Sequence, residues 1–159
     1  LRQDRPDEAR RVFREIVDAG ETYAYPEDLP DNAIADLWME GAPGRAVVAI
    51  DDDGSFLGAA KMGPNRPGRG AHIGTASFMV SSAARGKGVG RALARDMIDW
   101  HRRQGYAGIQ FNAVVETNMA AVRLWQDLGF RILGTVPGAF RSATHGPVGL
   151  HVMFLDLSS

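Results

Sequence analysis

Three glycines at alternate positions, Gly86, Gly88 and Gly90, stand between Arg85 and Arg91 and run straight into a helical pattern. A strand, a glycine-rich turn and a helix start together make an anion site. The first N–H groups of a helix have no partner within it, and the helix dipole favours negative charge there. The stretch "SSAARGKGVGRAL" therefore reads as a phosphate cradle. Two common phosphate binders are disfavoured by what is missing. A nucleoside triphosphatase loop needs Ser or Thr after its Lys to hold magnesium, and Lys87 is followed by Gly88. A dinucleotide fingerprint needs glycine at its sixth position, where Arg91 stands, and an acid about 20 residues on. The first acid past the next strand, Glu116, comes later than that. The plain alternative is a flexible turn with solvated arginines.

The elements that must position this loop follow from periodicity. From Pro6, Ala9, Val12, Phe13, Ile16 and Val17 recur at helical spacing and Gly20 falls where a C-cap belongs. A shorter helix is expected from Asp31 or Asn32 to Met39. "RAVVAID" and "SFLGAAKM" read as a hairpin turned by Asp53-Gly54 with positive φ, and "HIGTASFMV" as the strand entering the glycine loop. The next helix runs from about Gly88 to Gln104, with Val89, Leu93, Met97 and Trp100 on one face. "GIQFNAVV" is a strand, Asn118 to Leu128 a helix, and "FRILGTV" and "VGLHVMFLDL" a closing pair joined by the loop "PGAFRSATHGP". The alternation is that of a mixed α/β sheet.

Composition bounds the partners. The 159 residues suit one domain, and 18 basic against 19 acidic residues give a net charge of -1 with no basic stripe or polybasic run. Small-molecule partners are expected, with no nucleic acid and no membrane. No apolar run approaches the roughly 20 residues of a membrane span, and no signal-peptide core is present, so a cytoplasmic location is expected. The absence of cysteine removes thiolate chemistry, disulfides and thiol metal sites, and no metal is expected.

"RGKGVGRAL" after "FMV" resembles the R/Q-x-x-G-x-G/A signature of the GNAT superfamily of N-acetyltransferases, and "NMAAVRLWQDLGF" is similar to that superfamily's second block. The resemblance covers roughly Arg45 to Leu157; the strand expected before the first helix is not evident. It implies one α/β (α+β mixed) domain over residues 1–159. In it a mostly antiparallel twisted sheet, splayed between the family's fourth and fifth strands, is flanked by about four helices. It further implies that the cradle, Arg85, Gly86, Lys87, Gly88, Val89, Gly90 and Arg91, holds the pyrophosphate of acetyl-CoA. Met79 and Val80 would pair with the pantetheine arm and supply the backbone oxyanion donor, and Asn118 would touch that arm while also capping its helix. Many relatives carry a Tyr as acid seven residues after this Asn. Here it is Trp125, whose indole cannot deliver a proton and which either lines the cofactor arm or packs in the core.

A narrower resemblance concerns the acceptor. "PNRPGRGAHIGTASFMV", "IQFNAVVETN" and "GTVPGAFR" are similar to acetyltransferases of proline analogues such as azetidine-2-carboxylate and cis-4-hydroxyproline. In those relatives two Asn residues help hold the acceptor; the second matches Asn112 and the first is Thr75 here. Phe78 fits an apolar acceptor wall, and Tyr25, with Tyr23, falls where the superfamily builds acceptor walls. Asn112 is otherwise a buried, satisfied amide. His72 could act as a base or order its loop, and Arg141 and His145 could meet a carboxylate or lie in a solvated loop. "GETYAYP" is similar to phosphinothricin-type enzymes, and the missing Tyr leaves open an acetyl-CoA-binding sensor without catalysis. Homodimerisation through the closing strands is expected from the family.

Overall fold

The computed structural model describes residues 6–20, 30, 32–33 and 42–158. Helix α1 (Pro6–Ala19) starts on a proline, whose fixed φ and missing N–H suit a first turn. It stops at Gly20, which has φ 69° and donates its N–H to the Val17 carbonyl at 3.0 Å. Strands β1 (Arg45–Ile50) and β2 (Phe56–Pro64) form the expected hairpin, and only Gly54 of the Asp53-Gly54 pair takes positive φ. After β3 (Ile73–Val80) come α2 (Val89–Gln104), β4 (Gly108–Val115), α3 (Met119–Asp127), β5 (Arg131–Ser142) and β6 (Gly146–Asp156). Short 3-10 turns cover Gly68–Gly70 and Ser82–Ala84. Three α-helices thus stand among the described residues where about four were expected. Of the helix foreseen from Asp31 to Met39, all but Asn32 and Ala33 lies outside the described residues. Tyr23 and Tyr25 lie outside them too. Among the described residues, no helix is long and apolar enough to cross a membrane.

The six strands form one sheet in the order β1-β2-β3-β4-β6-β5. Every pairing is antiparallel except β3 with β4. Helices α2 and α3 cover one face, burying Leu93, Met97 and Trp125 against Ala60, Phe111 and Met153. The other face carries α1, whose Val12, Phe13 and Val17 pack on Phe56, Ala59 and Met79. Each such Val, Leu, Phe or Met side chain taken from water contributes about 1.5–3 kcal/mol. The last strands differ from expectation: "PGAFRS" belongs to β5, which absorbs a register shift between Val136 and Phe140, so Arg141 is an exposed strand residue opposite Pro147. An irregularity of this kind lets a strand continue through a Pro-Gly pair.

Helix α2 meets the sheet through a close approach. A Cβ on Gly74 would fall 2.3 Å from the His101 ring, so only glycine fits beneath that imidazole. His101 is fully buried, its Nδ1 donates to the Met97 carbonyl at 2.8 Å, and its Nε2 has no partner among the described residues. Burial lowers its pKa, the Met97 bond opposes this and Arg45 adds to it, so the imidazole is held neutral. Because the unfolded chain then binds the extra proton, the contribution of His101 to stability is fully present above the ordinary imidazole value of about 6.5 and is lost as pH falls through and below it. Denaturant titrations between pH 8 and pH 5 should show this slope, and His101→Leu should start lower and lose part of it. Asn118, which accepts from the Ala121 N–H at 3.3 Å, caps α3. Asn118→Ala should cost about 0.5–2 kcal/mol in the same titrations, and Asn118→Asp much less.

Candidate functional site

Strands β3 and β4 pair over only two positions, Ile73 with Gly108 and Gly74 with Ile109, and then part. The expected splay is therefore present, between the third and fourth strands of this sheet. The main-chain direction within it follows from three hydrogen bonds. Asn65 N–H donates to Ile73 C=O at 2.8 Å and Ser81 N–H to Leu57 C=O at 2.8 Å, so odd-numbered residues of β3 face β2. Ala107 N–H donates to His72 C=O at 2.9 Å, so even-numbered residues face β4. Beyond Gly74 the even row, Ala76, Phe78 and Val80, meets no strand among the described residues, and its N–H and C=O groups line an open wedge. This corrects the reading of Met79. Its main chain faces Ala59 across the β2 ladder and its side chain is buried under α1, so of that pair only Val80 has its main chain on the wedge side.

The glycine loop lies at the mouth of this wedge. Gly86 and Gly88 have φ 78° and 73°, a left-handed backbone that glycine takes without strain. The N–H groups of Arg85 and Lys87 are engaged by the Ser82 and Ala84 carbonyls at 3.3 and 3.1 Å. Those of Gly86, Gly88, Val89, Gly90 and Arg91 have no backbone partner among the described residues. Five unpaired donors thus converge on the start of α2, fewer than the seven foreseen. A Cβ on Gly90 would stand 3.9 Å from both Val80 and Leu124, so cradle and wedge adjoin. Of the three cations, Lys87 reaches Asp51 at 3.5 Å and Arg91 reaches Asp127 at 3.1 Å, whereas Arg85 is exposed with no ion pair among the described residues. The Val89 side chain points into the core.

Trp125 is 7% exposed, and its ring packs against Phe111 and Phe78 with centroids 4.4 and 5.0 Å apart. Phe111 stacks on Phe130 at 4.6 Å and 10°. Such pairs add about 0.5–1.5 kcal/mol beyond their burial, so the cluster is a rigid wall on the α2–α3 side of the wedge. Asn118 stands at the start of α3, and its amide nitrogen is not used in the cap.

Side chains alternate across a strand, and this separates residues that the sequence reading had grouped. Phe78 faces the aromatic cluster, whereas Thr75 lies on the α1 face, so the two do not share a pocket. Asn112 is exposed rather than a buried core amide, because β4 loses register with β6 between Phe111 and Val114. Its Nδ2 donates to Asn65 Oδ1 at 2.7 Å and its Oδ1 accepts from Gln110 Nε2 at 2.9 Å. Asn65 and Gln110 were not foreseen; the spacing of Gln110 and Asn112 on one strand was the available signal, and Asn65 offered none. His72 and His145 are exposed, the latter in the turn between β5 and β6.

Comparison with known proteins agrees with this geometry. A profile of the Acetyltransferase (GNAT) family matches residues 10–130. A GCN5-related N-acetyltransferase of solved structure from Kribbella flavida is 57% identical, with a TM-score of 0.95 over 98% of this chain and 94% of that one. The N-acetyltransferase aca1 of Schizosaccharomyces pombe is 40% identical over 104 residues, 65% of this chain, and the chain spans 50% of that relative's length. The L-methionine sulfoximine/L-methionine sulfone acetyltransferase of Pseudomonas aeruginosa is 38% identical over 124 residues, covering 74% of this chain and 71% of that one. With an open wedge, an adjoining anion cradle and these relatives, the chain belongs to the GNAT family of acetyltransferases.

Proposed function

We propose that the chain transfers the acetyl group of acetyl-CoA to the amine of a small, amino-acid-like molecule. The observation that carries this reading is the continuity of the unpaired row Ala76, Phe78 and Val80 with the five free N–H groups at the start of α2. A strand edge takes an extended chain bearing amides, and a helix N-terminus takes a pyrophosphate; one ligand with both parts fits the two sites together. Gly86, Gly88, Val89, Gly90 and Arg91 would hold the phosphates by their main chains, with Arg85, Lys87 and Arg91 adding charge. Asn118 would reach the amide arm, and Trp125 would wall the wedge. Acetyl-CoA supplies, when bound, an acyl group already activated as a thioester.

The chain's own contribution is position and electrostatics. Val80 N–H points into the wedge, where it can donate to the oxygen that gains charge as an amine attacks. The wedge opens onto the α1 face, where the Thr75 hydroxyl and the Asn112 amide would orient the acceptor. No phenol stands at Trp125, and a leaving group with an ordinary pKa of about 8.5 does not require one. The finer reading, a proline analogue, is supported by the match of "PNRPGRGAHIGTASFMV" and "IQFNAVVETN" and tempered by Thr75; a phosphinothricin-type acceptor is the alternative.

Self-association is inferred through β5, an edge strand with Ile132, Leu133 and Val136 exposed at 38%, 53% and 55%. Long apolar edges of this kind are normally covered. Light scattering should give the mass of a dimer, and Leu133→Lys a monomer; a monomeric parent protein would overturn the inference.

Free-thiol release with acetyl-CoA over a panel of primary and secondary amines tests the main reading. Turnover on amino-acid-like amines is expected; binding of acetyl-CoA without turnover on any amine would point instead to a sensor. Gly90→Ala adds only an ordinary van der Waals contact and should change stability by less than about 0.5 kcal/mol. The family signature admits Ala at this position, so the acetyl-CoA Kd measured by calorimetry should stay within about twofold, whereas Gly88→Ala, which puts a β-carbon on a φ of 73°, should reshape the loop and raise that Kd about tenfold.

A further inference from the structure

On the α2–α3 face the wedge is roofed by aromatic rings. Phe78 on β3 meets Phe111 on β4 edge-on, with centroids 6.4 Å apart and planes at 89°, and Trp125 of α3 packs on both. The other three rings of the cluster, Phe111, Trp125 and Phe130, are buried, whereas Phe78 is only half-buried. Its neighbours in the even row, Ala76 and Val80, are smaller, so the Phe78 ring is the bulk that β3 places along this side of the slot. The opposite face carries the Thr75 and Ser77 hydroxyls. Depth is limited as well. Neighbouring strands lie about 4.8 Å apart, so a chain laid between two of them needs roughly twice that width, which is gone near the bridge of Gly74 with Ile109. An acyl tail entering from the cradle end must therefore leave the plane of the sheet. It meets either the rings or the hydroxyls, and beside the hydroxyls it lies where the acceptor arrives.

We propose that Phe78 is a specificity-determining residue for the acyl donor, its ring holding the wedge to acetyl and turning away butyryl and longer acyl groups. Resting on the acetyltransferase reading, this adds which acyl-CoA serves and which side chain decides it. It also gives Phe78 a part other than the acceptor wall expected from the sequence. The rings behind it are held by contacts of their own. Phe111 stacks on Phe130 at 4.6 Å and 10° and packs on Trp125 at 4.4 Å, so removing the Phe78 ring leaves an apolar cavity lined by Phe111 and Trp125 rather than a collapsed one. A methylene placed in such a cavity tightens binding roughly fourfold, and one left against hydroxyls and water gains nothing.

The test is calorimetry of free CoA, acetyl-CoA, butyryl-CoA and hexanoyl-CoA against the parent protein, Phe78→Leu and Phe78→Ala. In the parent protein butyryl-CoA and hexanoyl-CoA should bind no tighter than acetyl-CoA, and thiol release over the same amine panel should fall about tenfold or more from acetyl-CoA to butyryl-CoA. In Phe78→Ala butyryl-CoA should bind about tenfold tighter than acetyl-CoA. Phe78→Leu keeps the core apolar and serves if the Ala variant does not fold; there the gain should be about threefold. Free CoA has no acyl group, and its Kd should stay within about twofold of the parent value in both variants, a readout that general loosening of the fold would move. A parent protein whose affinity rises with acyl length, or a series that stays flat in both variants, would overturn the proposal. The expected order of affinities without turnover of any acyl-CoA would uphold it and sink the acetyltransferase reading. Transfer of butyryl as fast as acetyl by the parent protein would do the reverse.

Discussion

Two parallel strands that pair for two residues and then separate leave a row of backbone donors and acceptors without a strand partner among the described residues. Such groups are costly to bury dry, so the wedge must stay open to water or to a ligand of matching pattern. Everything around it holds that shape. Beneath the vertex Gly74 admits the His101 ring and brings α2 down on β3, where the last bridge to β4 is made. The aromatic cluster of Phe78, Phe111, Trp125 and Phe130 keeps the far wall in place. Helix α1 supports β2 and β3 from the opposite side.

Much of this was legible because local chemistry decides it. The glycine loop, the cap at Asn118, the stop at Gly105 and the turn at Gly54 each depend on a few neighbouring residues. What could not be read depends on register. Whether Met79 or Val80 presents its main chain to the wedge is fixed by the bonds of Ile73 and Ser81 to β2, made with residues from 8 to 24 positions away in sequence. The exposure of Asn112 follows from an irregularity between β4 and β6, and the bond from Asn112 to Asn65 joins residues 47 apart. The length of β5 was missed because "PG" reads as a turn, whereas pairing with β6 carries the strand through it. Long-range pairing overrides turn chemistry in each case.

The edges of the sheet differ in consequence. Strand β1 is short, and one side of it is paired to β2. Strand β5 is twice as long, and its residues from Arg131 to Ala139 are exposed. The polar pair of Thr135 Oγ1 with His151 Nδ1 at 2.6 Å lies between the last two strands, and Glu116 accepts the Gly149 N–H at 2.7 Å beside it. The Glu116 contact ties the end of β4 to β6 beyond the irregularity.

The alternation along β3 has one more consequence. Its main chain and side chains face four directions: β2, the wedge, the α2–α3 layer and the α1 face. Main-chain donors are the same whichever amino acid carries them. Mutation at Thr75 or Ser77 can therefore redraw one surface while the even row of backbone groups beside it stays as it was. Single substitutions on such a strand can reshape one of its faces and leave its open hydrogen-bonding edge unchanged.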